Sequence, residues 1–220
     1  MKLNELNKRI STSLFLIGLL FLIIKYSYIF LLICIVLFVV TWIEFNNIFK
    51  KIFKKKVNLI KTKISQLLVF IYLTFFMTVL YKSYIKFSPA INLDLIYVIV
   101  ICILSDIGGF LFGKFFKGKK LTKISPNKTY SGAFGSFFLS ILFSILYSLM
   151  LNRIDFNDAI IFSILISFVS QIGDLFISFL KRLAKIKDTG NILPGHGGIL
   201  DRIDGMLFAI PFGVILINIY

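Results

Sequence analysis

Long apolar runs, separated by short basic segments, dominate the chain. A helix crosses a bilayer core in about 20 mostly apolar residues, so the runs predict seven spans. They fall at about 10–25, 27–46, 64–81, 93–113, 131–151, 158–180 and 200–219. The first follows Lys2, Lys8 and Arg9, as the apolar part of a signal peptide would. No small-residue cleavage site follows it and a second span comes at once, so it is read as a helix. The expected fold is all-α, a polytopic integral membrane protein of about seven transmembrane helices. No internal repeat is evident.

Composition agrees. Of 220 residues, 58% are apolar and 16% charged, against roughly a quarter charged in soluble domains. A soluble core of this length could not cover that much apolar surface, and a disordered chain would carry far less of it. The net charge of +15 would suggest nucleic acid, but the positions of the cations answer differently. With the N-terminus in the cytoplasm, 21 of the 25 Lys and Arg residues fall on that side; only Lys25, Lys82, Lys86 and Arg153 fall outside. This positive-inside asymmetry makes the lipid bilayer the expected partner, in the cytoplasmic membrane, and nucleic acid unnecessary.

Glycine and proline divide the chain. Residues 1–87 hold one glycine, Gly18, and no proline; the other glycines and all prolines come later. Residues 1–90 therefore read as plain lipid-facing helices and 91–220 as the part with the bends and close backbone approaches that a site requires. Cys34 and Cys102 lie in apolar runs and read as small apolar residues. The single histidine, His196, excludes a multi-histidine metal centre within one chain.

The ten acids are more informative. Asp106 lies eight residues before Lys114, and Asp174 seven before Lys181. Helical rise places them about 12 Å and about 10 Å below the cytoplasmic end of their spans. Asp201 and Asp204 begin the last span at the same face. Burying a charge mid-span costs roughly 2.5–3.5 kcal/mol, so chance would seldom produce such a grouping, although an acid in a helix's first turn, as Asp201 is, is favoured by the helix dipole in any case. On the sixth span Ser163, Ser167, Ser170, Gln171, Asp174, Ser178 and Lys181 form one polar stripe, read as water-lined because it carries Asp174 and Lys181. Ser136, Ser140, Ser144 and Ser148 of the fifth span read as helix packing.

Between the last two spans, Gly190, Gly195, Gly197 and Gly198 precede a helix N-terminus, an arrangement that holds anions such as phosphate. Lys181, Arg182, Lys185 and Lys187 stand before it, and Asp201 and Asp204 after it. The cations suit phosphate, and the acids suit a divalent cation, with magnesium the match to oxygen-only ligands. In segment 113–132 most lysines read as topology signals. Lys128, beside Ser125 and Thr129, is the candidate ligand contact, with Asp106 near the metal.

The run from Ser178 through Lys181-Arg182, Lys187-Asp188-Thr189-Gly190 and Pro194-Gly195-His196-Gly197-Gly198 to Asp201-Arg202-Ile203-Asp204 closely resembles the signature of the phosphatidate cytidylyltransferase (CDP-diacylglycerol synthase) family. Ile124-Ser125-Pro126-Asn127-Lys128-Thr129 is similar to its second motif, and Asp106–Leu121 to a third. The resemblance covers roughly residues 100–210. There are departures: Ser131 stands where the family usually has Glu, Gly109-Phe110 replaces Ala-Tyr, and the seven expected spans are one or two fewer, at the N-terminal side, than is common in the family.

The resemblance implies transfer of a cytidylyl group from CTP to phosphatidic acid, with Mg2+ and room for a second cation. It implies catalytic roles for Asp174, Lys181, Arg182 and Asp201, with Asp174 and Asp201 as metal ligands. It implies substrate contacts for Lys128, Ser178, Asp188, His196, Gly197, Gly198, Arg202 and Asp204, His196 also serving loop structure. Two alternatives stand beside it: an ion-coupled transporter, and a CTP-dependent enzyme acting on a different lipid phosphate or a polyprenol. A homodimer would pack through small-residue faces such as Gly132 and Ser136.

Overall fold

The computed structural model describes residues 26–53, 59–85, 93–122, 124–126, 128–192 and 197–219. Six helices account for most of them: α1 (Ser27–Ile52), α2 (Leu59–Ile85), α3 (Leu93–Phe116), α4 (Tyr130–Leu151), α5 (Phe156–Leu183) and α6 (Leu200–Ile219). All six are long and apolar enough to cross a membrane. The described residues contain no strand, only an isolated antiparallel bridge between Lys120 and Thr129. The protein is thus an all-helical, multi-pass membrane protein. The span expected at about 10–25 lies outside the described residues. Several helices outrun their expected spans because helix continues past the apolar stretch: α1 carries Lys50 and Lys51 in its last turn, and α5 Lys181 and Arg182.

The chain forms two compact units. One joins the residues up to Ile85 with Leu180–Ile203; the other joins Lys86–Phe179 with Asp204–Tyr220. The division does not follow the sequence boundary near residue 90, because the loop between α5 and α6 belongs with the N-terminal helices.

In the first unit α1 and α2 meet through aromatic rings. Phe30 stacks on Tyr84 at 4.1 Å, and Phe38 and Trp42 meet Phe70 edge-on at 5.5 and 5.4 Å. Such geometry adds about 0.5–1.5 kcal/mol per pair beyond area burial.

The second unit relies on small residues and hydroxyls, because lipid offers no hydrophobic drive for helices to associate. At Gly108 an added Cβ would overlap the Gly135 carbonyl, and at Gly132 it would lie 2.7 Å from the Gly109 carbonyl oxygen. Backbone thus meets backbone along α3 and α4. Ser136 Oγ donates to the Ser105 carbonyl at 2.6 Å, and Ser144 Oγ to the Ala159 carbonyl at 2.6 Å, where Tyr97 Oη also bonds Ser144 at 2.5 Å. Two of the fifth-span serines, Ser136 and Ser144, thus tie helices together, as their spacing suggests. The face of Gly132 and Ser136, expected to serve a homodimer, is instead covered by α3, since both residues approach its backbone closely.

The polar stripe of α5 is also a packing seam from Ser163 to Ser170, a correction to its reading as water-lined. Ser163, Ser167 and Ser170 are buried; Ser167 Oγ bonds Ser105 Oγ at 2.9 Å, and a Cβ at Gly205 would lie 2.5 Å from Ser170 Oγ.

Gly108→Ala forces the α3–α4 seam apart, with an expected loss of about 1–3 kcal/mol in detergent-solubilised unfolding. Ser140 Oγ is buried without a hydrogen-bond partner, so Ser140→Ala is expected to cost nothing or to stabilise. A tolerated Gly108→Ala, or a destabilising Ser140→Ala, would contradict this packing.

Candidate functional site

Two polar clusters carry the candidate residues, one in each unit. In the second unit the loop between α3 and α4 is tied at its base. Lys117 and Gly118 take left-handed conformations (φ 50° and 113°), turning the chain out of α3. Ser131 Oγ hydrogen-bonds the Lys117 carbonyl, so the residue that departs from the family pattern fastens this turn. The Tyr130 N–H donates to Lys119 O at 3.1 Å and the Leu121 N–H to Lys128 O at 2.8 Å. Thr129 caps α4, its Oγ1 accepting the Gly132 N–H at 3.1 Å.

From this loop Lys128 reaches Asp174 on α5, Nζ to Oδ2 at 2.5 Å. Ser178, one turn further on, donates to Asp174 Oδ1 at 3.3 Å. Asp106 on α3 is exposed. Asp174 and Lys128 are only 27% and 25% exposed, where a charge pair is worth more than at an open surface.

In the first unit α5 ends in a Schellman turn. The Ile186 N–H donates to Lys181 O and the Lys185 N–H to Arg182 O, both at 3.0 Å, with Lys185 left-handed at φ 56°. Lys181 Nζ then meets Asp201 Oδ1 at 2.7 Å. Asp201 Oδ2 accepts the Thr189 N–H at 2.7 Å and, reaching back three residues as a capping-box acid does, the Gly198 N–H at 3.2 Å.

The glycine loop does hold an anion, and the anion is Glu44 of α1. Glu44 is 1% exposed. Its Oε1 accepts the Ile199 N–H at 3.0 Å, and its Oε2 accepts the Leu200 N–H and the Thr189 hydroxyl, each at 2.8 Å. The amides of residues 198–200, expected to meet phosphate, are thus committed to two protein carboxylates.

Asp174, Lys128 and Ser178 meet in one unit; Lys181 and Asp201 meet in the other. Arg182, Asp188 and Arg202 are exposed. Gly197, at φ 85°, is strained for any other residue, and a Cβ there would lie 3.2 Å from Asp201 Oδ2. Asp204 Oδ1 accepts the Gly205 N–H at 2.9 Å. His196 lies outside the described residues. Sequence reasoning passed over Glu44 and Thr189. The signal existed: Glu44 is the sole acid between Glu5 and Asp94, within an expected span.

The oxygen donors at Asp174 suit a hard cation, and that carboxylate already holds one positive charge in Lys128. Among the described residues no three metal-ligating side chains converge.

The sequence profile of the cytidylyltransferase family matches residues 1–220. A phosphatidate cytidylyltransferase of Helicobacter pylori (strain ATCC 700392 / 26695) is 46% identical over 115 residues, covering 52% of this chain and 43% of that protein. One of Bacillus subtilis (strain 168) is 38% identical over 137 residues, covering 59% and 51%. One of Staphylococcus aureus (strain COL) is 41% identical over 128 residues, covering 56% and 48%. The chain spans about half the length of these curated relatives.

Removing one member of the Lys128–Asp174 pair strands a charge at low dielectric. Lys128→Met is therefore expected to destabilise more alone than together with Asp174→Asn. A double-mutant cycle read by unfolding in detergent should show coupling of about 0.5–3 kcal/mol; additive losses would refute the pair.

Proposed function

This chain belongs to the cytidylyltransferase family, and we propose that it is a CTP:phosphatidate cytidylyltransferase of the cytoplasmic membrane. It would form CDP-diacylglycerol and pyrophosphate from CTP and phosphatidate, as its relatives' names suggest. One observation supports this reading above the others: two of the signature aspartates are paired with signature cations, Asp174 with Lys128 and Asp201 with Lys181.

In this reading a phosphatidate oxygen attacks the α-phosphorus of CTP in line. A new P–O bond forms, the bond to the β-phosphate oxygen breaks, and pyrophosphate departs with the electron pair. The phosphatidate oxygen is already ionised at neutral pH, so no general base is needed. The task left to the protein is to gather anions and offset their charge.

Lys128 would turn from Asp174, and Lys181 from Asp201, to meet substrate phosphates, with exposed Arg182 and Arg202 as further cations. Ser178, already bonded to Asp174, would steady that carboxylate. Magnesium, when bound, would supply Lewis-acid charge to phosphate oxygens; Asp174 would hold it, and Asp201 would serve a second cation. Phosphatidate would arrive sideways from the inner leaflet and CTP from the cytoplasm.

The test uses purified protein, labelled CTP, magnesium and a panel of lipid phosphates that includes a polyprenyl phosphate. Labelled CDP-diacylglycerol from phosphatidate is the expected product. A product only from another lipid would overturn the substrate assignment, and ion flux without nucleotide product would point to a transporter. Asp174→Asn and Asp201→Asn should each lower turnover by about 100-fold or more while the protein still inserts. Near-wild-type turnover in either would remove that residue from the site.

A further inference from the structure

We propose that Glu44, on the first described helix, is a positioning residue that fixes Asp201 and, through it, Lys181. The proposal rests on the functional reading above for what those two residues do. It rests on geometry within one unit for how Glu44 reaches them.

The connection runs atom by atom. Glu44 Oε2 takes the Thr189 hydroxyl at 2.8 Å, the Thr189 N–H goes to Asp201 Oδ2 at 2.7 Å, and Asp201 Oδ1 takes Lys181 Nζ at 2.7 Å. The Thr189 hydroxyl also lies 3.0 Å from Asp201 Oδ2, so one hydroxyl faces both carboxylates. Glu44 further holds the N–H groups of Ile199 and Leu200, immediately before Asp201. It thereby sets where α6 begins.

Two loop glycines are shaped to this carboxylate. An added Cβ at Gly190 would lie 2.7 Å from Glu44 Oε1, and its three nearest neighbours would all be Glu44 atoms. At Gly198 it would lie 2.7 Å from both Glu44 carboxylate oxygens and overlap Thr189 Oγ1. The buried carboxylate is compensated by the amides and positive end of the helix it caps, with no cation within ion-pair reach among the described residues. Glutamine fits the same space but would point its NH2 group at donors.

The test uses the full chain in nanodiscs with CTP and phosphatidate. Glu44→Gln should lower kcat about 10–100-fold, the cost of losing a group that orients a ligating residue, while KM for CTP stays within about threefold of wild type. Trypsin cleavage after Lys185 and Lys187 should accelerate in this variant. Gly190→Ala alone should be impaired, whereas Gly190→Ala combined with Glu44→Ala should be no worse than Glu44→Ala alone, because the clash partner is gone. Wild-type kcat and cleavage in Glu44→Gln, or additive losses in the Gly190–Glu44 pair, would overturn the proposal. A wild-type chain that forms no product would overturn the functional reading instead. The cleavage rates would then decide the Glu44 anchor alone, unchanged cleavage overturning it and faster cleavage supporting it.

Discussion

A carboxylate set in an apolar span has to find its donors inside the protein, and that demand organises both units. Lipid offers no hydrogen bonds, and an unsatisfied polar group there costs several kcal/mol. Glu44 meets the demand by drawing in the loop between α5 and α6, with two backbone amides and a hydroxyl as its donors. Asp174 meets it with Lys128 and Ser178. Each acid therefore does more than wait for a ligand. It pins a loop that the sequence alone would leave free to wander.

The same demand explains the glycines. Gly190 and Gly198 are small because a protein carboxylate fills the space beside them. Gly108, Gly132 and Gly135 are small for the other membrane reason, the close approach of two helix backbones. A glycine-rich stretch in such a chain therefore has two physical readings, an anion cradle or a packing seam, and only three-dimensional neighbours separate them.

Much was legible in the sequence. Apolar runs of bilayer length place all six described helices to within about six residues at each end, since span length is set by membrane thickness. The acids that pair with lysines, Asp174 and Asp201, stood out because a charge in an apolar run needs a reason. Glu44 satisfied the same rule, yet it lay in a segment with a single glycine and no proline and seemed plain. Its partners are about 145 or more residues away in the chain, and no local spacing encodes a contact of that range. The α5 serine stripe misled for the converse reason. Periodicity reports which side chains share a face, while whether water or a neighbouring helix lies against that face depends on the rest of the fold. The family signature identified the loop as important, but could not show that its amides already serve a carboxylate.

The most direct measurement of this account is amide hydrogen exchange at Ile199 and Leu200, in wild-type protein and in Glu44→Gln. If Glu44 holds the loop to α1 and sets the start of α6, both amides are protected in the wild type and exchange markedly faster in the variant, while amides in the middle of α6 are unchanged. Equal exchange at Ile199 and Leu200 in the two proteins would contradict it.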